Sequence, residues 1–299
     1  MRPLPLLALA LLLAGCAASA PSAPAPSPAG ARGHLLIVGG GSQPPALVSR
    51  FVELAGGPGR ARIAVVPMAS ESAAETGAEK AAELRGLGAE TFVLNLTRAQ
   101  AETDSAARML EGVTGVWFSG GDQTRLAPIL MDTPTLEAIR RRYREGAVLG
   151  GTSAGAAIMS DSMLTGNQYR EGVDTAGYYD DEYPRVARRS IQVVRGLGFL
   201  HGAIVDQHFL RRERQNRLLS AVLERPSLVG VGIDESTAIL VRPDGRWEVL
   251  GASSVLVMDA RAARVTSATA PVLGATGVAL LLLPAGSVYD PRTGTATLP

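Results

Sequence analysis

Cysteine is almost absent from this sequence: Cys16 is the only one in 299 residues. A single thiol excludes an intrachain disulfide framework and any metal site built from cysteines. Histidine is scarce too, at His34, His201 and His208. That is too few for an expected zinc centre, and it leaves three candidates for any imidazole base. Lys80 is the one lysine. Every other cationic side chain is arginine, so a carboxylate clamp here must be a guanidinium fork. Excess charge of either sign is missing as well, and a net charge of +1 gives no footprint for nucleic acid. Long apolar runs are also lacking: Leu4 to Leu13, behind the positive Arg2, has the length of a signal-peptide core rather than a membrane span.

That apolar run ends in Leu13-Ala14-Gly15-Cys16, small residues before a cysteine, as at a bacterial lipoprotein cleavage site. The expectation is a leader over residues 1–15 and lipidation at Cys16, giving an exported protein held to a bacterial membrane by its N-terminal lipid. An ordinary signal peptide with a chance cysteine is the plainer alternative. Residues 16–33 are Ala, Ser, Pro and Gly with little to bury, and read as a flexible tether. Residues 34–299 fit one α/β domain.

Within that domain, strand-like runs alternate with helix-like ones. Leu35–Val38, Arg62–Val66, Thr91–Leu96, Gly115–Phe118 and Ala147–Thr152 are apolar. Helix-like segments follow at Ser72–Leu87 and Thr135–Glu145. Near-continuous apolar strands joined by helices predict a mostly parallel sheet covered on both faces. Functional loops of such sheets lie at the carboxyl ends of the strands, where Gly39–Gly41, Gly120–Gln123 and Thr152–Gly155 fall. Gly39–Gly41 lacks both the lysine of a phosphate loop and the spacing of a dinucleotide fingerprint. Residues 166–183 are polar and read as a long loop or hairpin beside the site. Leu210–Leu223 reads as an arginine-rich helix, and beyond Ala238 the pattern is strand and turn.

The strand Ala147–Thr152 runs into Gly151-Thr-Ser153-Ala-Gly155. A serine at such a strand-to-helix turn exposes its hydroxyl, with the next backbone N–H aimed at the same point. The hydroxyl needs a base, and the base needs an orienting partner. His34 precedes the first strand, on the wrong edge. His201 lies in a turn, where a surface or packing role suffices. His208, in Asp206-Gln-His-Phe209, sits at a strand's carboxyl end, on the edge expected for Ser153. For the orienting acid, Glu235 and its neighbour Asp234 both fit, and alternation along a strand lets only one of them face the site. The order serine, histidine, acid differs from that of the α/β-hydrolases, which share the Gly-x-Ser-x-Gly turn but place the acid before the histidine.

Together, Gly150–Ala156, Ser119–Gln123, Asp206–Phe209 with Arg212, Arg214 and Arg217, and Gly232–Glu235 resemble the cyanophycinase-like serine peptidases, a family that also contains aspartyl dipeptidases. The resemblance runs from about Leu35 to Leu240. It implies a class I glutamine-amidotransferase-like (flavodoxin-like) α/β fold, a three-layer sandwich around a mostly parallel sheet, with extra strands at the C-terminus. It further implies Ser153 as nucleophile, His208 as base and Glu235 as orienting acid. The backbone N–H groups of Gly121 and Ala154 would form the oxyanion hole. Gln123, Asp206, Gln207, Arg212, Arg214 and Arg217 match substrate-binding positions. Arg214 and Arg217, three apart on a helix, are placed to act together, with Arg212 pointing away from them.

The implied activity is hydrolysis of cyanophycin, an aspartate/arginine polymer, to β-aspartyl-arginine through an acyl-enzyme, with no metal or cofactor. Guanidinium groups suit the substrate's free carboxylates. Acidic and aromatic residues at 169–174 and 178–183 are candidates for its arginine groups. A dipeptidase acting on aspartyl or isoaspartyl peptides is the second reading, and a non-catalytic binding lipoprotein the third. A homodimer is the prior expectation for assembly.

Overall fold

The computed structural model describes residues 31–168, 185–270 and 272–299. The leader, Cys16, most of the tether and the acidic segments at 169–174 and 178–183 lie outside them. The first half of the chain alternates β1 (Leu35–Val38), α1 (Pro45–Leu54), β2 (Arg62–Val66), α2 (Ala73–Gly86) and β3 (Glu90–Val93). Two short helices follow, α3 (Arg98–Ala101) and α4 (Asp104–Arg108), then β4 (Gly115–Phe118), α5 (Gln123–Leu130), α6 (Pro134–Glu145), β5 (Val148–Thr152) and α7 (Ala154–Ala157). A hairpin of β6 (Ser162–Leu164) and β7 (Val193–Arg195) leads to β8 (Ala203–Gln207), α8 (Gln215–Glu224) and β9 (Val229–Ile233). The rest is strand: β10 (Thr237–Val241), β11 (Trp247–Gly251), β12 (Ser254–Asp259), β13 (Arg264–Val265), β14 (Ala275–Thr276), β15 (Ala279–Pro284), β16 (Val288–Asp290) and β17 (Thr295–Thr297).

The main sheet has the order β17-β16-β11-β10-β1-β5-β4-β2-β3. Strands β1, β5, β4, β2 and β3 are mutually parallel, and β10, β11, β16 and β17 continue the sheet antiparallel. All four residues of β1 are buried, and they divide between two cores. Leu35 and Ile37 face one, and Leu36 and Val38 the other. That is the two-sided burial which the continuous apolar strands predict. On the second face, α1 contributes Leu47, Val48, Phe51 and Val52, with Phe51 edge-on to Trp117 at 5.0 Å. Each such side chain contributes roughly 1.5–3 kcal/mol on full burial.

The architecture is richer than one sandwich. A second sheet, β15-β12-β9-β8, sends Val205, Val231 and Val257 into the core that also takes α6 and α7. Its other face is covered by α8 through Leu218 and Val222. Strands β9 and β10 belong to different sheets, yet only residues 234–236 separate them. The chain turns a corner there, with Ser236 at a φ of 57°.

Two sequence expectations shift. The helix read over Leu210–Leu223 begins only at Gln215. The backbone N–H of Arg211 is held by Asp234 Oδ1 at 3.0 Å, Arg214 N donates to Phe209 O, and Glu213 has a φ of 51°. These bonds build turns in which an α-helix cannot start. At the other end, Arg32 and Gly33 do not belong to a free tether. Their N–H groups donate to Arg144 O and Tyr143 O, at the end of α6.

Close packing at the serine turn is made by glycine. A Cβ at Gly155 would lie 2.2 Å from Phe118 O, and one at Gly150 would lie 2.6 Å from the Trp117 ring. Gly155→Ala should therefore lower stability by about 3 kcal/mol through overpacking. Gly86→Ala, where nothing lies within 4 Å, should be neutral or slightly stabilising. Urea midpoints of the two variants check this; equal midpoints would refute it.

Candidate active site

Ser153 stands between β5 and α7 with φ 54° and ψ −113°, a backbone conformation that costs a non-glycine residue about 1–3 kcal/mol. The strain is held in place by hydrogen bonds. Ser153 N donates to Val38 O, and Ser153 O accepts from Ala156 N and Ala157 N. The turn therefore fixes the side chain without any contact to the hydroxyl itself.

Adjacent strands bring the other groups to the same edge. Strands β1, β5 and β4 end there, and antiparallel β10 starts there. His208 follows β8 of the second sheet and also has positive φ, at 49°. Its Nε2 lies 2.8 Å from Ser153 Oγ. Its Nδ1 lies 2.6 Å from Glu235 Oε1. An alcohol, an imidazole and a carboxylate are thus joined in one hydrogen-bonded line. With Glu235 accepting from Nδ1–H, the free lone pair of Nε2 faces the alcohol.

The corner between β9 and β10 separates the two neighbouring acids. Asp234 accepts from Arg211 N through Oδ1 and from Ser253 Oγ through Oδ2, at 3.0 and 2.8 Å. It ties the segment after His208 to the start of β12, while Glu235 alone turns to the imidazole. His34 and His201 do not approach the site.

The glycines Gly39–Gly41 carry more of this geometry than their sequence suggests. Gly39 O accepts from His208 N at 2.7 Å, and Gly40 O accepts from Ser236 N at 2.9 Å. Gly40 has a φ of 111°, and a Cβ there would lie 2.3 Å from His208 Cε1; at Gly41 it would lie 2.8 Å from Glu235 Oε2. Three consecutive glycines after a buried strand are the signal of such a close approach.

Gly121, at φ 132°, packs its Cα against the Ala69 carbonyl, where a Cβ would lie 2.2 Å from the oxygen. No backbone acceptor among the described residues takes its N–H. Ala154 is the first residue of α7, where an N–H has no intrahelical acceptor. Gly121 and Ser153 line one cavity of about 300 Å³, together with Gln123, Thr165, Gly166 and Gln207. Gln123 is buried, and its Nε2 donates to Leu164 O at 2.7 Å, anchoring the segment that supplies Thr165 and Gly166. Sequence reasoning passed over these last two.

Arg212, Arg214 and Arg217 all line this cavity. Because α8 starts late, Arg212 shares the wall with the other two instead of pointing away from them. Asp206 differs from expectation. It is fully buried and is not part of the cavity wall. Its carboxylate receives Arg217 Nε and Nη2 at 2.7 and 2.5 Å, and Gln207 N at 2.9 Å. Arg214 Nη1 donates to Gln207 O and Oε1 at 2.8 and 2.7 Å. Asp206 thus holds one arginine of the wall from behind, on the side of β8 that faces α8.

His208 is pulled in two directions. Burial, the largest influence, lowers its pKa below the usual 6.5, and the positive fields of Arg212 and Arg214 lower it further. The Glu235 hydrogen bond and charge oppose them, and the net direction is down. The imidazole is therefore neutral near pH 7 and able to accept a proton from Ser153.

Known proteins have similar sequences. The sequence matches peptidase family S51 over residues 35–248. It is 39% identical to a cyanophycinase from Trichormus variabilis over 206 residues, 68% of this chain and 65% of that one. The chain thus spans somewhat less than two thirds of that relative. It is 36% identical to a cyanophycinase from Geminocystis herdmanii over 242 residues, 79% of this chain and 84% of that one. In three dimensions it resembles a peptidase from an acI-B1 actinobacterium, with a TM-score of 0.64 at 24% identity, over 87% of this chain and 98% of the other. That likeness speaks to the fold, which is of the expected α/β class. With more than half of its length matched, the chain belongs to peptidase family S51.

Proposed function

We propose that this chain is a serine-type peptidase that cleaves cyanophycin into β-aspartyl-arginine dipeptides. The observation that carries the reading is the line Ser153 Oγ, His208 Nε2 and Nδ1, Glu235 Oε1, with links of 2.8 and 2.6 Å, opening on a cavity walled by arginines. Its two relatives named above are cyanophycinases.

In this reading Ser153 Oγ attacks the carbonyl carbon of an aspartyl amide while its proton passes to His208 Nε2. The tetrahedral oxyanion is met by the N–H groups of Gly121 and Ala154, each contributing about 3–4 kcal/mol to the barrier reduction. The C–N bond breaks, and the leaving amine takes the proton from His208. Water, deprotonated by His208, then attacks the acyl ester and frees Ser153. Glu235 keeps the tautomer and stabilises the transient imidazolium. Arg212, Arg214 and Arg217 supply the positive wall for substrate carboxylates, and Gln123 and Gln207 shape it. A dipeptidase acting on aspartyl or isoaspartyl peptides would keep the same chemistry, and a cavity of about 300 Å³ favours testing short substrates beside the polymer. Export and lipid anchoring at Cys16 are part of the proposal, supported by the leader-like first fifteen residues and the cysteine that follows.

Incubation of the chain with cyanophycin should release β-aspartyl-arginine, and Ser153→Ala should lower the rate by about 10⁴-fold or more. Equal release by both proteins would remove Ser153 from the mechanism. Cleavage confined to isoaspartyl dipeptides would move the substrate to the second reading.

The pH profile follows from the lowered pKa of His208. A base must be neutral to work, so the acidic limb of kcat/KM should fall below pH 6.5. Arg212→Gln removes one of the positive fields that lower this pKa, so the limb should move to higher pH. An unchanged or downward shift would contradict the assignment of His208 as the titrating base.

A further inference from the structure

A second cavity, of about 410 Å³, lies at the opposite end of the second sheet from Ser153. His201 stands on its wall, two residues before β8 begins, whereas His208 follows the end of that strand. Seven residues of nearly extended chain place the two histidines roughly 20 Å apart. The cavity shares no lining residue with the first.

Its walls carry charges of both signs. Arg140 and Arg144 lie four residues apart on α6, and so on the same helix face. Arg140 is already held, by Glu137 and by Leu197 O. Arg195, also on the wall, is held by both oxygens of Asp132 at 2.9 Å. The Arg144 side chain has no hydrogen bond or ion pair among the described residues and is exposed. Asp161 also lines it, and its Oδ2 meets His201 Nδ1 at 2.7 Å. Its Oδ1 is flanked by Gly198, where a Cβ would come within 3.0 Å. Glycine, at a φ of 70°, leaves that flank clear. The floor is aromatic and buried: Tyr143 and Phe199 meet edge to face at 5.8 Å and 80°.

We infer that this cavity is a second ligand site for an amino-acid-sized zwitterion, its carboxylate on Arg144 and Arg140 and its cationic group on Asp161. Fixed charges of both signs in one cavity favour a molecule that carries both signs itself. A carboxylate gains charge-assisted hydrogen bonds from a guanidinium, and a cation gains them from Asp161. A single-sign ligand satisfies one set of charges and is opposed by the other. Naming an arginine-terminated peptide as the natural occupant rests on the proposed function; the site itself does not.

The test uses the full chain and L-arginine as probe, with agmatine lacking the carboxylate and succinate lacking the cation, followed by calorimetric titration. Saturable arginine binding is expected, with both controls at least tenfold weaker. Arg144→Ala and Asp161→Asn should each weaken it at least tenfold. Arg144 is exposed, so its variant should fold, and unchanged thermal unfolding would show that it does. Absence of arginine binding, equal binding of agmatine, or full affinity in both variants would overturn the inference. Cyanophycin hydrolysis measured beside it reports on the Ser153 site and not on this cavity. Lost hydrolysis with retained arginine binding would sink the proposed reaction and leave this site standing.

Discussion

Everything at the reactive edge hangs on the backbone of Gly39 and Gly40. Their carbonyl oxygens take the N–H groups of His208 and Ser236, one after the second sheet's β8 and the other at the start of the first sheet's β10. The same loop lies flat against the imidazole and the Glu235 carboxylate, with no room for a side chain. Two sheets that meet through three corner residues are thereby locked at one separation. The separation matters because the alcohol belongs to one sheet and the imidazole to the other, and a hydrogen bond of 2.8 Å tolerates little drift between them.

The lock holds considerable strain. Ser153, His208 and Ser236 all have positive φ without being glycine. Each such residue costs of order 1–3 kcal/mol and persists only where its surroundings over-determine it. Here backbone hydrogen bonds brace Ser153, the glycine carbonyls brace His208 and Ser236, and Asp234 braces Arg211 just beyond the histidine. Behind them, Asp206 and Arg217 form a fully buried, two-point ion pair. Its net stabilising worth is small, since both charges left water. Its consequence is positional: with the pair in place, β8 and α8 cannot slide against each other without burying a lone charge.

Much of this was legible in the chain. The Gly151–Gly155 turn and the apolar β1, β2, β4 and β5 follow from local pattern. His208 stands out because only three histidines exist and just one ends a strand on the right edge. The rest depends on contacts between segments far apart in sequence. Nothing local separates Asp234 from Glu235; the choice is made by Ser253 and Arg211, which occupy one of them. Asp206 looks like a site residue from its place beside Gln207 and His208, yet the alternation of β8 turns it to the opposite side. The helix starts at Gln215 because Arg211 N answers to Asp234 and Arg214 N to Phe209 rather than to helix propensity. The split into two sheets was hidden because β8 and β9 are as apolar as the strands of the main sheet.

The late helix start has a chemical consequence. Had α8 begun at Leu210, Arg212 would have lain on another helix face from Arg214 and Arg217. As turns, residues 210–214 bring all three arginines to the wall of the cavity that holds Ser153. Two of them act twice there. The charges of Arg212 and Arg214 favour an approaching carboxylate, and they lower the proton affinity of His208, to which burial already contributes most. Glu235 works against the second effect while orienting the ring. The imidazole is thus kept neutral while at rest and next to a carboxylate when it becomes charged, which is the asymmetry that proton transfer from Ser153 requires. Binding an anionic substrate would partly cancel the arginine field and raise the basicity of His208 at the moment the proton must move.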